Sequence, residues 1–255
     1  HLMLRICLMK YEKGKYMFKK RGLIVLLVGV LALTLAGCSL KSSRQFIEGK
    51  AAELSKVYPT ENLEDLFEKF PDGFQIDVMD AENLEEDERT SSIIYHLILN
   101  GISETREIKG KYTKEKAFKN SSGKIEHEML YQGEVYHKGG SLHLPDDDSS
   151  NDKEKGDLKH SRLLMQEFSI SRSSLQGLEV DRKGYSSETG SASITYKLKN
   201  EQVNTYLGLE NDDQINMDIN IFEPTISGKS YGYTVIFRKD NLYHSEGIVG
   251  KLKGN

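Results

Sequence analysis

From Ile47 to Phe70 the apolar residues recur at helical spacing. Ile47, Ala51, Leu54 and Tyr58 fall on one face, and Pro59 ends the run. Thr60 is placed to cap a second helix, with Glu61 and Glu64 near the positive end of its dipole. Leu63, Leu66, Phe67 and Phe70 then repeat at i, i+3, i+4 and i+7, and Pro71-Asp72-Gly73 closes the helix as a turn. Beyond Gly73 the period changes to two. Phe74-Gln75-Ile76-Asp77-Val78 alternates, Asp80 to Arg89 reads as an acidic loop, and Ile93 to Leu99 is apolar on both faces, as in a central strand. Residues 103–113 and 124–137 read as further strands, with Gly139-Gly140 as a turn before Ser141 to Leu144.

The stretch 146–157 is polar and charged and reads as an acidic loop. Leu158 to Phe168 reads as a helix, with Leu163, Leu164 and Phe168 on one side. Alternation returns at Ala192, Ile194, Tyr196 and Leu198, at Ile215, Met217, Ile219 and Ile221, and at Tyr231, Tyr233, Val235 and Phe237. A short helix is expected over Asn200 to Leu207. Period-2 strands with one polar face suit antiparallel pairing, and sequential strands usually pair. The expected fold is α+β, an antiparallel sheet or sheets with the N-terminal helices packed on one face. No internal repeat emerges.

The apolar run Gly22 to Ala36 carries no charge and spans 15 residues. A spanning helix needs about 20 to cross roughly 30 Å of hydrocarbon. Lys19-Lys20-Arg21 precedes the run and small residues end it, the layout of a secretory signal. Leu35-Ala36-Gly37-Cys38 fits a lipobox, which implies a diacylglyceryl group on the Cys38 thiol and cleavage just before it. Two acyl chains, at about 0.8 kcal/mol per buried CH₂, hold a protein that one chain binds only marginally. Met17, directly before Phe18-Lys19-Lys20-Arg21, is the expected start, with residues 1–16 as upstream sequence. The expected organisation is therefore leader 1–37, lipidated tether 38–44 and mature domain 45–255.

Charge and cysteine usage narrow the function classes. Residues 1–37 hold seven of the 35 basic residues and one of the 39 acidic residues, which leaves 28 and 38, a formal charge of −10, for residues 38–255. So acidic a domain disfavours nucleic acid and polybasic contact with a membrane. Of the two cysteines, Cys7 lies in the leader and Cys38 is the lipid site. The mature domain then has no disulfide and no thiol for redox or metal chemistry, and must stabilise itself through its apolar core.

Tyr58-Pro59-Thr60-Glu61-Asn62-Leu63-Glu64-Asp65-Leu66-Phe67, followed by Asp72-Gly73-Phe74, resembles the staphylococcal tandem lipoproteins, also described as conserved staphylococcal antigens. That family has a lipobox leader, a helix ending in Tyr-Pro and an Asn-Leu-Glu-Asp-Leu helix after it. Its C-terminal Gly-x-Ser-x-Gly-Tyr segment, leading into a strand, corresponds here to Gly228-Lys229-Ser230-Tyr231-Gly232-Tyr233. The Gly-x-Trp segment common in the family is absent, since this chain has no Trp, and residues 80–190 match only in general character. The resemblance implies a surface lipoprotein of a Gram-positive bacterium without established enzyme activity, with roles in host contact and immune stimulation.

Four patterns bear on chemistry. Gly228-Lys229-Ser230-Tyr231-Gly232 fits a nucleophile elbow, but that motif needs a helix after the Ser, and Tyr233 to Phe237 is strand-like. The same glycine and lysine do not make a P-loop, because Glu223 occupies the earlier glycine's position. Asp146, Asp148 and Asp152 have calcium-loop spacing, yet Asn151 and Asp157 stand where that loop needs Gly and Glu. His127, His137 and His143 come from neighbouring strands and would bind zinc only by converging on one face. Adjacent carboxylates such as Glu85-Glu86-Asp87-Glu88 imply no catalytic pair in a chain this acidic.

The reading that fits best is a lipid-anchored, non-catalytic binding module on the outer face of the cytoplasmic membrane. Its expected partners are the membrane, through lipid on Cys38, and a host or envelope protein, or a peptidic or small ligand held against the sheet. No catalytic, cofactor or metal residue is assigned. The alternative is a lipid-anchored hydrolase using Ser230. A two-lobed solute receptor is disfavoured, because the βα alternation such receptors use is missing.

Overall fold

A computed structural model describes residues 43–86, 89–145, 158–222 and 230–251, without the side chains of 85–86, 89–90, 230–231 and 251. The chain separates into two units, His1–Phe46 and Ile47–Asn255. In the first, Ser43 Oγ accepts a hydrogen bond from the Phe46 amide at 3.2 Å. Cys38, tether residues 39–42 and the 146–157 stretch lie outside the described residues.

Among the described residues, the second unit is built on one antiparallel sheet of ten strands. Helix α1 (Arg44–Ala51) runs into a 3₁₀ turn, Ala52–Lys56, and a second 3₁₀ turn, Leu63–Asp65, leads into α2 (Leu66–Lys69). Five strands follow: β1 (Phe74–Glu86), β2 (Arg89–Ile102), β3 (Glu107–Lys119), β4 (Ile125–Lys138) and β5 (Ser141–His143). A segment with a 3₁₀ turn at Leu164–Gln166 and helix α3 (Arg172–Gln176) connects them to β6 (Glu179–Tyr185) and β7 (Ala192–Leu198). Helix α4 (Glu201–Tyr206), β8 (Ile215–Phe222), β9 (Ser230–Lys239) and β10 (Leu242–Lys251) complete the unit. The lateral order is β5-β4-β3-β2-β1-β10-β9-β8-β7-β6. Two five-stranded meanders therefore meet where β1 pairs with β10.

Register gives the sheet two unlike faces. Phe74, Ile76 and Val78 of β1 are buried, and their β2 neighbours Leu97 and Leu99 are buried with them. The same row continues through Ile248 on β10, Val235 and Phe237 on β9, Met217 and Ile219 on β8, and Ile194 and Tyr196 on β7. A slip of one residue would turn this whole apolar set to solvent, and so the pairing is strongly specified. Ile47, Leu54, Leu63, Leu66 and Phe67 from the N-terminal turns are buried on this side. Each fully buried side chain of this kind contributes about 1.5–3 kcal/mol. The α+β architecture is as the periodicity implies.

Several local features differ from expectation. The second helix begins as a 3₁₀ turn before its single α-helical turn, and Thr60 does not cap it: its hydroxyl donates to the Val57 carbonyl at 2.9 Å. The acidic stretch after Asp80 is strand, because β1 is held from both sides, by β2 and by β10. Residues 103–106 form the turn before β3 rather than part of a strand. Leu158 to Phe168 is not a helix, and only the turn at Leu164–Gln166 is helical. Gly139 and Gly140 do form a tight turn, with φ of 61° and 80°, the positive values that a two-residue hairpin of this hand requires.

Because β5 and β6 lie at opposite edges, the chain between them must cross the sheet, roughly 40 Å at about 4.8 Å per strand. It does so on the buried face, where Leu163, Leu164, Met165, Phe168 and Ile170 are covered. Backbone bonds stitch it to the N-terminal turns: the Thr60 amide donates to Met165 O at 2.8 Å, and the Ile170 amide to Tyr58 O at 3.3 Å. Gln166 adds side-chain bonds from Nε2 to the carbonyls of Glu61 and Gly140, both at 3.0 Å.

Candidate functional site

The crossing segment closes over three buried charged side chains at the junction of the two meanders and adds two of its own. Asp80 continues the inward phase of Phe74, Ile76 and Val78, and pairs across the ladder with His244; Val78 pairs with Glu246. Asp80, His244 and Glu246 are only 4%, 0% and 1% exposed. Lys159 and His160, from the start of the crossing segment, complete the group.

Its geometry is a chain of polar contacts. His244 Nδ1 lies 2.8 Å from Asp80 Oδ1, and His244 Nε2 faces Glu246 Oε1 at 3.5 Å. Glu246 accepts the Leu164 amide on Oε1 at 2.6 Å and the Met165 amide on Oε2 at 2.7 Å. Tyr58 donates to Glu246 Oε2 at 3.3 Å, and the Tyr206 hydroxyl stands 3.5 Å from Oε1. Lys159 Nζ reaches Asp80 Oδ1 at 3.6 Å and also pairs with Glu82. His160 stacks on Tyr206, with ring centroids 4.1 Å apart, and its Nε2 lies 3.7 Å from Asp80 Oδ1.

Burial on its own would drive the His244 ring neutral, but the hydrogen bonds and charges of Asp80 and Glu246 outweigh it and raise the pKa to about 9. Burial also acts to raise the Asp80 carboxyl, yet His160, His244 and Lys159 together hold it well below the usual carboxylate range. Burial, reinforced by Glu246, pushes the Tyr58 and Tyr206 hydroxyls well above their ordinary value, keeping them neutral donors. Opposite charges thus meet, with His244 and Lys159 set against Asp80, Glu246 and the partly exposed Glu82. That pairing is what allows so many charges under an apolar cover.

Beside the cluster is a cavity of about 20 Å³, lined by Asp80, His160 and Lys159 with Val78, Tyr95 and Tyr206. It has room for one water-sized body. It is too small for an organic substrate, whose pockets are about 300 Å³ or more.

The residues singled out in the sequence lie elsewhere. His137 is buried and bonds Glu64 through Nδ1 at 2.9 Å. His127 is exposed and pairs with Glu115 at 3.2 Å. His143 sits opposite Tyr136, on the other face of the sheet from His137, so the three imidazoles do not converge. Ser230 opens strand β9 rather than preceding a helix, which is not the setting of a nucleophile elbow. Gly228, Lys229 and Asp146, Asp148 and Asp152 fall outside the described residues. The sequence pattern hides the cluster, because Asp80 reads as loop, His160 reads as helix, and no element is read over residues 242–251. A signal was present: Asp80 follows Phe74, Ile76 and Val78 at the same period of two, and His244 and Glu246 precede Ile248 in the same way. Polar residues in an apolar phase mark buried charge.

No family model matches the chain, and no curated protein does. Among solved structures, the dehydratase domain of RzxB from Pseudomonas fluorescens is similar at 8% identity over 70% of this chain and 75% of that one, with a TM-score of 0.17. A likeness that slight carries no weight for fold or function.

Proposed function

We propose that the protein is a lipid-anchored, non-catalytic binding module that presents the bare face of its sheet to a partner. The observation that carries this reading is the asymmetry of the sheet. One face is buried under the N-terminal turns and the crossing segment, and the other is largely uncovered by described residues. On that outer face Lys109, Lys111, Gln132, Glu134, Ser193, Asn216 and Arg238 are exposed. Phe222 and Val249 flank Gly232 there and are 49% and 44% exposed. A groove of about 260 Å³ crosses β6 to β9, lined by Arg182, Ser193, Thr195, Asp218, Asn220 and Arg238. Asp218 is held in it by Thr195 Oγ1 and Arg238 Nη2, both at 2.5 Å. Mixed charge, amide groups and two apolar side chains on a rigid sheet suit recognition of an extended peptide or protein surface.

The anchor rests on the leader. The lipobox at Leu35–Cys38 follows an apolar core too short to span a membrane, and among the described residues no helix is long and apolar enough to cross one. The resemblance to the staphylococcal tandem lipoproteins supports the same reading and suggests host contact as its setting. A non-catalytic role is supported by the small cavity beside the Asp80–His244–Glu246 cluster and by the strand that Ser230 opens. Replacing Cys38→Ala tests the anchor: the protein should leave the membrane fraction or accumulate uncleaved. Normal cleavage with unchanged membrane retention would refute it.

A further inference from the structure

We propose that Asp80, His160 and His244 form a binding site for one divalent first-row metal ion, with zinc as the probe. Their donor atoms all lie within 4.8 Å of one another, although they come from β1, the crossing segment and β10. Two imidazoles and one carboxylate are a donor set that such ions favour. Tetrahedral ligands about 2.1 Å from zinc stand about 3.4 Å apart. Here Asp80 Oδ1 is 2.8 Å from His244 Nδ1 and 3.7 Å from His160 Nε2, so the ion needs donor shifts of about 1 Å or less at these two pairs.

Three further features fit an ion better than a bare ion pair. His160 Nε2 is buried and has no hydrogen-bond partner among the described residues, so a ligating nitrogen stands ready. His244 would ligate through Nδ1, releasing to solvent the proton it directs at Asp80, while its far nitrogen faces Glu246 Oε1, the carboxylate placement that orients metal-bound imidazoles. Glu246 is itself fixed by the Leu164 and Met165 amides and by Tyr58. Lys159, the competing cation, has a second place to go: it already pairs with Glu82 and lies 5.0 Å over the Tyr95 ring. The cavity beside Asp80 and His160 then offers the ion its fourth ligand, a water.

The test uses the full chain in detergent after treatment with a chelator. Zinc is titrated against a competing chromophoric chelator, and cobalt(II) is added separately to read its visible absorption. One equivalent of zinc should bind, and cobalt should give the intense bands of a low-coordinate site. His160→Gln should weaken zinc binding at least about tenfold, the low end of what even an outer partner costs. Asp80→Asn should weaken it likewise, and His127→Gln, on the exposed part of β4, should leave it unchanged. Circular dichroism confirms that each variant is folded. No zinc binding by the unmodified chain would overturn the proposal without reference to any variant. Binding that survives His160→Gln at full strength, or that His127→Gln reduces equally, would also overturn it.

Discussion

Glu246 shows how one side chain can organise a fold. It lies on β10 in the phase of Ile248, fully under cover, where a leucine would be unremarkable. Its two oxygens take the amides of Leu164 and Met165, which a helix there would have used internally. The charge is tolerable because His244 lies beside it and is itself held by Asp80. This arrangement makes stability depend on pH. The folded-state pKa of His244 is raised from 6.5 to about 9, so its contribution is fully present below 6.5 and is lost as pH rises through 9. The lost contribution is on the order of 3 kcal/mol. Denaturation midpoints measured in a chelator should therefore fall from pH 6 to pH 9.5, and His244→Gln should flatten that slope. Asp80 acts at the other end: its depressed pKa gives stability above the ordinary carboxylate range that is lost as pH falls.

At the scale of elements, the strands with clean alternation are legible in the sequence. The turn at Gly139-Gly140, the strands β7, β8 and β9, and helix α4 lie where the pattern puts them. The pattern gives no element over α3 or β6, and its misses around the cluster share a cause. Strand β10 carries His244 and Glu246 at inward positions, so its alternation is hidden. Asp80 makes the second half of β1 read as loop. Leu163, Leu164 and Phe168 mimic a helical face, but the segment's amides are claimed by a carboxylate 82 residues away in sequence. The candidate site is obscured for the same reason, and only the apolar phase that Asp80, His244 and Glu246 share with their strand neighbours marks it. Glycine placement shows how the N-terminal turns reach the sheet. Gly250 pairs with Phe74, and a Cβ there would lie 1.7 Å from the Phe70 ring. Gly250→Ala should therefore displace that ring and cost about 1–3 kcal/mol, measured by urea denaturation. An unchanged midpoint would mean that Phe70 does not pack there.

On the scale of the whole domain, the sheet order places the first and last strands side by side at its centre. Neither meander is complete without the other, and the buried cluster sits on the seam between them. The same order sends the crossing segment over one face and leaves the other open. Lipid on Cys38 would hold the domain at the membrane surface, and its acidic charge argues for a protein or peptide partner over nucleic acid. On the proposed function, the open face does the binding. Photo-crosslinking residues introduced one at a time test it most directly, in full-length protein on cells incubated with host extract. Lys111 and Asn216 are exposed on the open face, and Arg172 and Glu201 are exposed on the covered side. Partner adducts are expected from Lys111 and Asn216 and none from Arg172 and Glu201. Adducts confined to Arg172 and Glu201, or absent from all four positions, would contradict it.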